Sequence, residues 1–181
     1  MNMSKPLLNK SKPTKRHLFE IQKAVVWCLY SAIPLRLTWA DLHVGKPPKD
    51  TKENYLYRKR GKAGAYVVQL ERHKTARHVG RITHTLPKAC SRLLNKFLPI
   101  RDSLVEHDYL LSNLNGSRMT KNGLSKFLTR SSEAFLGKKI SAQMIRILFA
   151  SERSLQLDIA DKTRSLLGHA GLNRTLEYVR K

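Results

Sequence analysis

The spacing of apolar positions divides this 181-residue chain into three parts. Apolar side chains first recur with helical spacing over residues 17–33. They then alternate with polar side chains in three segments, 35–44, 66–70 and 81–86, as is typical of strands. After residue 86 the spacing is helical throughout. The pattern predicts a mainly α domain with a small three-stranded antiparallel β-sheet, an α+β fold.

Local signals place the helices that follow residue 86. Pro87 opens the first helix and Pro99 ends it, because proline fits the first turn of a helix but removes a backbone donor further along. A second helix runs from Thr120 to about Phe135, and a third begins after Ser141. A further helix near 156–167 and a short one from Asn173 complete the chain. The side chains predicted to face inward in the third helix are Met144, Ile145, Leu148 and Phe149.

The net charge of the chain predicts a binding partner. Lysine and arginine number 35 against 13 acidic residues, a formal net charge of +22. Such an excess destabilises a compact fold by self-repulsion unless a polyanion binds it. Basic side chains that neutralise phosphates release counterions, so nucleic acid is the predicted partner, with a ribosomal-type or merely basic protein as the alternative. Residues 1–16 are basic and hold no acid, which indicates an arm or linker before a single domain at 17–181.

The remaining composition indicates an intracellular protein. Cys28 and Cys90 lie in apolar helical patterns far apart in sequence, as small core residues of a reducing compartment do, and without disulfide or metal-ligand spacing. No apolar run approaches the length of a membrane span, and none follows the basic N-terminus to form a secretory signal. We therefore expect a domain that faces DNA or RNA and no membrane.

The C-terminal stretch carries the most specific motif. Leu-Gly-His ends at His169, and Tyr178 follows nine residues later, with Thr175 three residues before it. This combination resembles the closing motif of the tyrosine recombinases, integrase-like enzymes that cut and rejoin DNA. The resemblance covers residue 24 to the end of the chain and implies the recombinase catalytic-domain fold. It also implies that Tyr178 is the nucleophile and that His169 donates a hydrogen bond to the phosphate.

Two segments resemble the arginine boxes of the same family. The stretch 140–146 looks like the H-x-x-R box, with Arg146 at the arginine position and Gln143 where the family has histidine. The stretch 32–42, in which Arg36 closely follows a proline and precedes Trp-x-Asp, resembles the box of recombinases from large DNA viruses and eukaryotic mobile elements. The family's catalytic lysine lies in a turn between two strands, typically before threonine, and Lys74 matches that position.

The implied chemistry requires these residue types. A tyrosine hydroxyl, with an ordinary pKa of about 10, attacks a phosphodiester only with help from a base or a positive field. Arg36 and Arg146 would offer paired donors to the phosphate, and Lys74 would protonate the leaving 5′-oxygen. We expect Arg36, Arg146 and His169 to converge on one basic surface that binds double-stranded DNA. The covalent intermediate conserves the phosphodiester energy, so the resemblance implies neither a cofactor nor a metal.

Gln143 leaves a different class of function open. Glutamine donates a hydrogen bond but transfers no proton at neutral pH, so the chain could be a non-catalytic DNA-binding module derived from a recombinase. A topoisomerase-like relaxing enzyme would share the chemistry of the main interpretation. That interpretation is site-specific recombination or integration of a mobile or viral genome. The family then implies a dimer or tetramer on DNA, in the host nucleus or cytoplasm.

Overall fold

The computed structural model describes residues 13–59, 64–74 and 76–167, with residues 154 and 156–167 described as backbone only. The chain divides after Ala142 into two compact units, which are described separately. The first unit contains a four-stranded sheet and most of the described helices, and the described part of the second is the helix that continues beyond Ala142. Within the described helices, none has the length and apolar content that crossing a membrane requires.

The first helix, α1, spans Lys15–Ala32 and confirms the helix predicted at 17–33. Thr14 caps it, because its hydroxyl accepts a hydrogen bond from the backbone N–H of His17 at 3.3 Å. Its buried face consists of Leu18, Ile21, Gln22, Val25, Val26, Leu29 and Tyr30. Gln22 is polar but paired: its side chain donates to the Ser112 carbonyl oxygen at 3.0 Å and accepts from the Ser112 N–H at 2.9 Å. This pair ties α1 to a segment that lies 90 residues away in sequence.

The sheet has four strands, so the predicted three-stranded antiparallel sheet is wrong. The strands are β1 (Leu42–Val44), β2 (Asn54–Arg58), β3 (Tyr66–Leu70) and β4 (Ile82–Thr85), in that spatial order. β1 runs parallel to β2, whereas β2–β3 and β3–β4 are antiparallel. The sheet is therefore mixed, and the α+β class of the prediction holds with one strand more than expected.

Local features explain why the sequence pattern missed β2 and mistook the segment before β1. Prolines and lysines dominate the sequence around β2 and hide the strand signal. Within β2, Leu56 nevertheless lies between two tyrosines and is buried, as a strand residue should be. The predicted strand at 35–44 is instead a 3₁₀ helix, Thr38–Asp41, followed by the three residues of β1. Trp39 and Ala40 are adjacent and both buried. A strand at the edge of the sheet points adjacent side chains to opposite faces, whereas this tighter helix buries both.

Beyond a four-residue helix, α2 (Ala76–Val79), the chain forms α3 (Lys88–Asp102), which packs on α1. The prediction that Pro99 ends this helix is wrong, since α3 continues to Asp102. Buried Arg101 holds the extra turn: its guanidinium donates to the carbonyl oxygens of His107 and Tyr109. Hydrogen bonds from a charged donor are stronger than neutral ones and offset the backbone bond that proline lacks.

The next helix, α4, spans Lys121–Leu136 and confirms the predicted helix at 120–135. The Thr120 hydroxyl accepts from the N–H of Gly123 at 3.1 Å and caps the N-terminus. Gly137 ends the helix in the left-handed conformation, φ 64°, which glycine adopts at little cost. The buried residues are Leu124, Phe127, Leu128, Ser131 and Ser132.

The last described helix, α5, is continuous over Ala142–Leu167, whereas the sequence predicted two helices there. Neither glycine nor proline interrupts this segment, so nothing local forces a break. The inward orientation predicted for Met144 and Leu148 is also wrong, because these side chains are 46% and 61% exposed. Ile145 and Phe149 have intermediate exposure.

Candidate active site

Arg36 lies in the bend between α1 and the 3₁₀ helix, with its side chain exposed. The backbone of Arg36 is held in place, because the Tyr30 hydroxyl donates a 2.6 Å hydrogen bond to the Arg36 carbonyl oxygen. Burial raises the pKa of Tyr30, so this hydroxyl stays protonated and remains a donor. The Tyr30 ring also packs against Trp39, with 6.5 Å between ring centroids. The fold thus presents an exposed guanidinium from an anchored backbone.

Lys74 lies in the connection between β3 and β4, as the sequence predicted, and its side chain is exposed. His73 and Gly80 close this connection, with 2.8 Å between the His73 Nε2 and the Gly80 carbonyl oxygen. Gly80 has a φ of +70°, a left-handed conformation that lets the chain turn back into β4. Among the described residues, the ion pairs of the connection use Arg72 and Arg81 and do not involve Lys74. The exposed side chain of Lys74 thus lies on a connection that is held by other residues.

Asn54, at the start of β2, holds the base of the Lys74 turn. It is fully buried, and its side-chain oxygen Oδ1 accepts hydrogen bonds from the backbone N–H groups of Glu71 and Arg72, both at 2.9 Å. Its amide nitrogen donates to the Arg72 carbonyl oxygen at 3.0 Å. Sequence analysis missed this residue. The only signal was an asparagine at the head of a Tyr-Leu-Tyr alternation, and its partners lie 17 and 18 residues away.

Asp41 joins the segment after Arg36 to the N-terminus of α4. One carboxylate oxygen accepts from Arg118 at 3.0 Å, and the other pairs with Lys121 at 2.6 Å. The Arg118 guanidinium also lies 3.6 Å from the centroid of the Tyr109 ring, a cation–π contact. Sequence analysis used Asp41 only as part of the Trp-x-Asp motif and did not single out Arg118, Lys121 or Tyr109. These partners are distant from Asp41 in sequence, so no local pattern indicates the contacts.

Beside this cluster, His43 lies between two tyrosine rings on the sheet. Its ring centroid is 5.2 Å from that of Tyr55 and 4.2 Å from that of Tyr109. Its Nδ1 is 2.7 Å from a carboxylate oxygen of Asp108. The rings and charges therefore form a continuous surface that runs from β2 to the start of α4.

The other predicted site residues lie beyond this unit. Gln143 and Arg146 are three residues apart near the start of α5, so they share one face of that helix. Gln143 is exposed and Arg146 has intermediate exposure. His169 and Tyr178 lie outside the described residues, as does Thr75 beside Lys74. The convergence of Arg36, Arg146 and His169 therefore stays a prediction.

Among the described residues, no cluster of three or more histidine, cysteine, aspartate or glutamate side chains could hold a metal ion. The described site does offer the cationic donors Arg36, Lys74 and Arg118. Such donors suit a phosphate oxygen.

The fold is similar to that of XerA recombinase, seen in a crystal structure, with a TM-score of 0.54 and 15% sequence identity. The similarity covers 89% of this chain and 56% of the XerA chain, so this chain spans little more than half the length of that protein. At this identity the likeness shows the fold alone. No protein-family model matches the sequence, and no curated protein matches it either.

Proposed function

We propose that this chain cleaves and rejoins DNA strands through a covalent bond to Tyr178, as a tyrosine recombinase does. The observation that carries the proposal concerns Lys74. A sequence motif alone assigned it to a turn between two strands, and it lies exposed on the β3–β4 connection of a fold similar to that of a recombinase. Such an agreement between motif, local structure and fold is not expected of an arbitrary basic protein.

The reaction is an in-line displacement at phosphorus. The phenolic oxygen of Tyr178 attacks, the bond from phosphorus to the 5′-oxygen breaks, and a 3′-phosphotyrosine forms. Lys74 gives its proton to the leaving 5′-oxygen, while His169 contacts a non-bridging oxygen and helps to remove the phenolic proton. Rejoining is the same step in reverse, with a 5′-hydroxyl as the nucleophile. No external energy source is needed, because the phosphotyrosine conserves the energy of the broken bond.

The arginines stabilise the charge that develops in this step. Arg36 and Arg146 donate to the non-bridging oxygens, with Gln143 as a further donor. Preorganised donors of this kind each contribute about 3 kcal/mol to transition-state stabilisation. The Tyr30–Arg36 hydrogen bond supports this role, since a fixed backbone reduces the reorganisation that the transition state would otherwise require.

The charge of the chain supports double-stranded DNA as the substrate. A formal charge of +22 is far more than the site itself needs, so much of it is available to neutralise phosphates on both sides of the cleaved bond. We further propose that the protein acts inside the cell, where its target DNA lies. It would assemble there as a dimer or tetramer on the DNA and recombine or integrate a mobile or viral genome.

A covalent complex with DNA tests the proposal. Duplex DNA nicked next to the cleavage site loses a short 5′-hydroxyl fragment on cleavage, so the phosphotyrosine cannot be reversed and accumulates on a denaturing gel. Tyr178→Phe removes one oxygen atom and should abolish this adduct while DNA affinity stays within about twofold. Tyr57→Phe, a matched change on β2, should retain both the adduct and the affinity. Full adduct formation by Tyr178→Phe would show that Tyr178 is not the nucleophile.

Gln143 favours a second candidate, a DNA-binding module that no longer cleaves. The exposed glutamine lies where the family has histidine and lacks that residue's capacity to transfer protons. Gln143→His separates the two candidates. An active wild type should form the adduct at a similar or modestly higher rate after the change. A wild type that forms no adduct on any nicked substrate, but gains one with Gln143→His, would support the second candidate.

A further inference from the structure

Helices α1 and α3 bring the two cysteines of the chain into contact. The thiol of Cys90 donates to the Cys28 carbonyl oxygen across 3.2 Å, which places it directly against the residue that carries the other thiol. Cys90 is only 3% exposed, whereas Cys28 has intermediate exposure. Their separation of 62 residues hid this contact from sequence analysis, which treated them as two unrelated core residues.

The two thiols are chemically unequal. The neighbouring Cys90 thiol lowers the pKa of Cys28, because it can turn its proton to the Cys28 sulfur once that sulfur is a thiolate. The same interaction, together with burial, raises the pKa of Cys90. Cys28 is also the more exposed of the two, and the thiolate is the reactive form of cysteine, so Cys28 is the nucleophile of the pair and Cys90 is its protonated neighbour. An accessible low-pKa thiol beside a second thiol is the arrangement found at redox-sensitive sites.

We propose that Cys28 and Cys90 form a peroxide-sensitive pair that closes to an intramolecular disulfide between α1 and α3. The Cys28 thiolate attacks hydrogen peroxide, the O–O bond breaks, and the products are a sulfenic acid on Cys28 and hydroxide. The sulfur of Cys90 then attacks that of Cys28. The thiol proton joins the departing hydroxyl, and water leaves. Two electrons pass from the thiols to one peroxide, and a dithiol reductant reverses the change.

The position of Cys28 connects this chemistry to the Arg36 bend. Cys28 lies two residues before Tyr30, whose hydroxyl holds the Arg36 carbonyl oxygen. A disulfide keeps its two Cα atoms about 4.4–6.8 Å apart, so oxidation would fix the spacing of α1 and α3 close to that anchor. It would also close a loop of 62 residues, which restricts the unfolded chain. We therefore expect the melting temperature to rise by roughly 10 °C on oxidation.

Mass spectrometry of the full chain tests the proposal without DNA, so its outcome is independent of the proposed strand cleavage. Reduced protein is treated with graded hydrogen peroxide, quenched with N-ethylmaleimide and digested with trypsin. The expected product is monomeric and carries no N-ethylmaleimide. It should yield one linked pair of peptides, 24–36 joined to 89–92, that separates on reduction. Alkylation of both cysteines after peroxide treatment, or disulfides only between chains, would overturn the proposal.

Two serine variants distinguish the roles of the thiols. Cys90→Ser should stop at the Cys28 sulfenic acid, which a dimedone probe captures, and Cys28→Ser should react with peroxide at least tenfold more slowly. Thermal melting in reducing buffer shows whether each variant is folded, and Cys90→Ala replaces Cys90→Ser if it is not. Equal peroxide reactivity of the two single variants would contradict the assignment of Cys28 as the nucleophile.

Discussion

Replacing Asn54 by alanine tests how the turn that carries Lys74 is held. The change deletes three hydrogen bonds: two accepted from the N–H groups of Glu71 and Arg72, and one donated to the Arg72 carbonyl oxygen. A typical intramolecular hydrogen bond contributes about 1 kcal/mol net to stability. The free energy of unfolding should therefore fall by about 3 kcal/mol, since three such bonds are lost.

The burial of Asn54 makes this figure the lower end of the expected loss. Deleting a partner in a dry core costs the full desolvation of the groups left behind, up to about 3 kcal/mol for each. Asn54 is fully buried, so the backbone groups that lose it face a buried site. A loss of about 3 kcal/mol corresponds to a fall in melting temperature of roughly 6–12 °C for a chain of this length.

Urea unfolding followed by circular dichroism measures the change. Asn95→Ala is the matched control, because Asn95 is exposed on α3, and its unfolding free energy should move by less than about 0.5 kcal/mol. If Asn54→Ala also stayed within that margin, Asn54 would not hold the turn. In the DNA assay, Asn54→Ala should slow adduct formation more than it weakens DNA binding, since a loosened turn misplaces the proton donor.

Two further predictions concern pH and salt. Burial lowers the pKa of His107 and the Arg101 guanidinium lowers it further, so the folded chain holds this proton less readily than the unfolded chain. Its contribution to stability is thus complete above the ordinary histidine pKa of about 6.5 and is lost as the pH falls toward the folded pKa. His107→Gln should make the urea midpoint of unfolding less dependent on pH in that window. An unchanged dependence on pH would contradict this. DNA affinity should fall with salt with a log–log slope of several units, and a slope near zero would refute the electrostatic account.

Helices whose signals are local could be predicted from the sequence. α1 and α4 each combine an apolar stripe with a threonine cap, and both lie within two residues of their predicted bounds. The prediction fails where a tertiary contact overrides a local signal. Arg101 carries α3 past Pro99, and a 3₁₀ helix that buries both Trp39 and Ala40 stands in place of the predicted strand.

The same contrast between local signals and tertiary contacts holds for the candidate site. The local structure around Arg36 and Lys74 could be predicted, because one follows the proline just after α1 and the other lies between two alternating segments. The contacts of Asn54 and Asp41 could not be predicted, because only the fold brings their partners near. A sequence pattern relates residues within a few helical turns of each other, whereas these contacts join residues 17 to 80 positions apart.

The Gln22–Ser112 pair and the sheet differ in how much chain each must close during folding. Neighbouring strands pair over short separations, such as Leu42 with Asn54 and Leu70 with Ile82, both 12 residues apart. The pair between α1 and Ser112 spans 90 residues. Loop-closure entropy grows as (3/2)RT ln n, so closing the longer loop costs about 2 kcal/mol more. The chain therefore loses less loop-closure entropy in pairing its strands than in docking the helix that anchors Arg36.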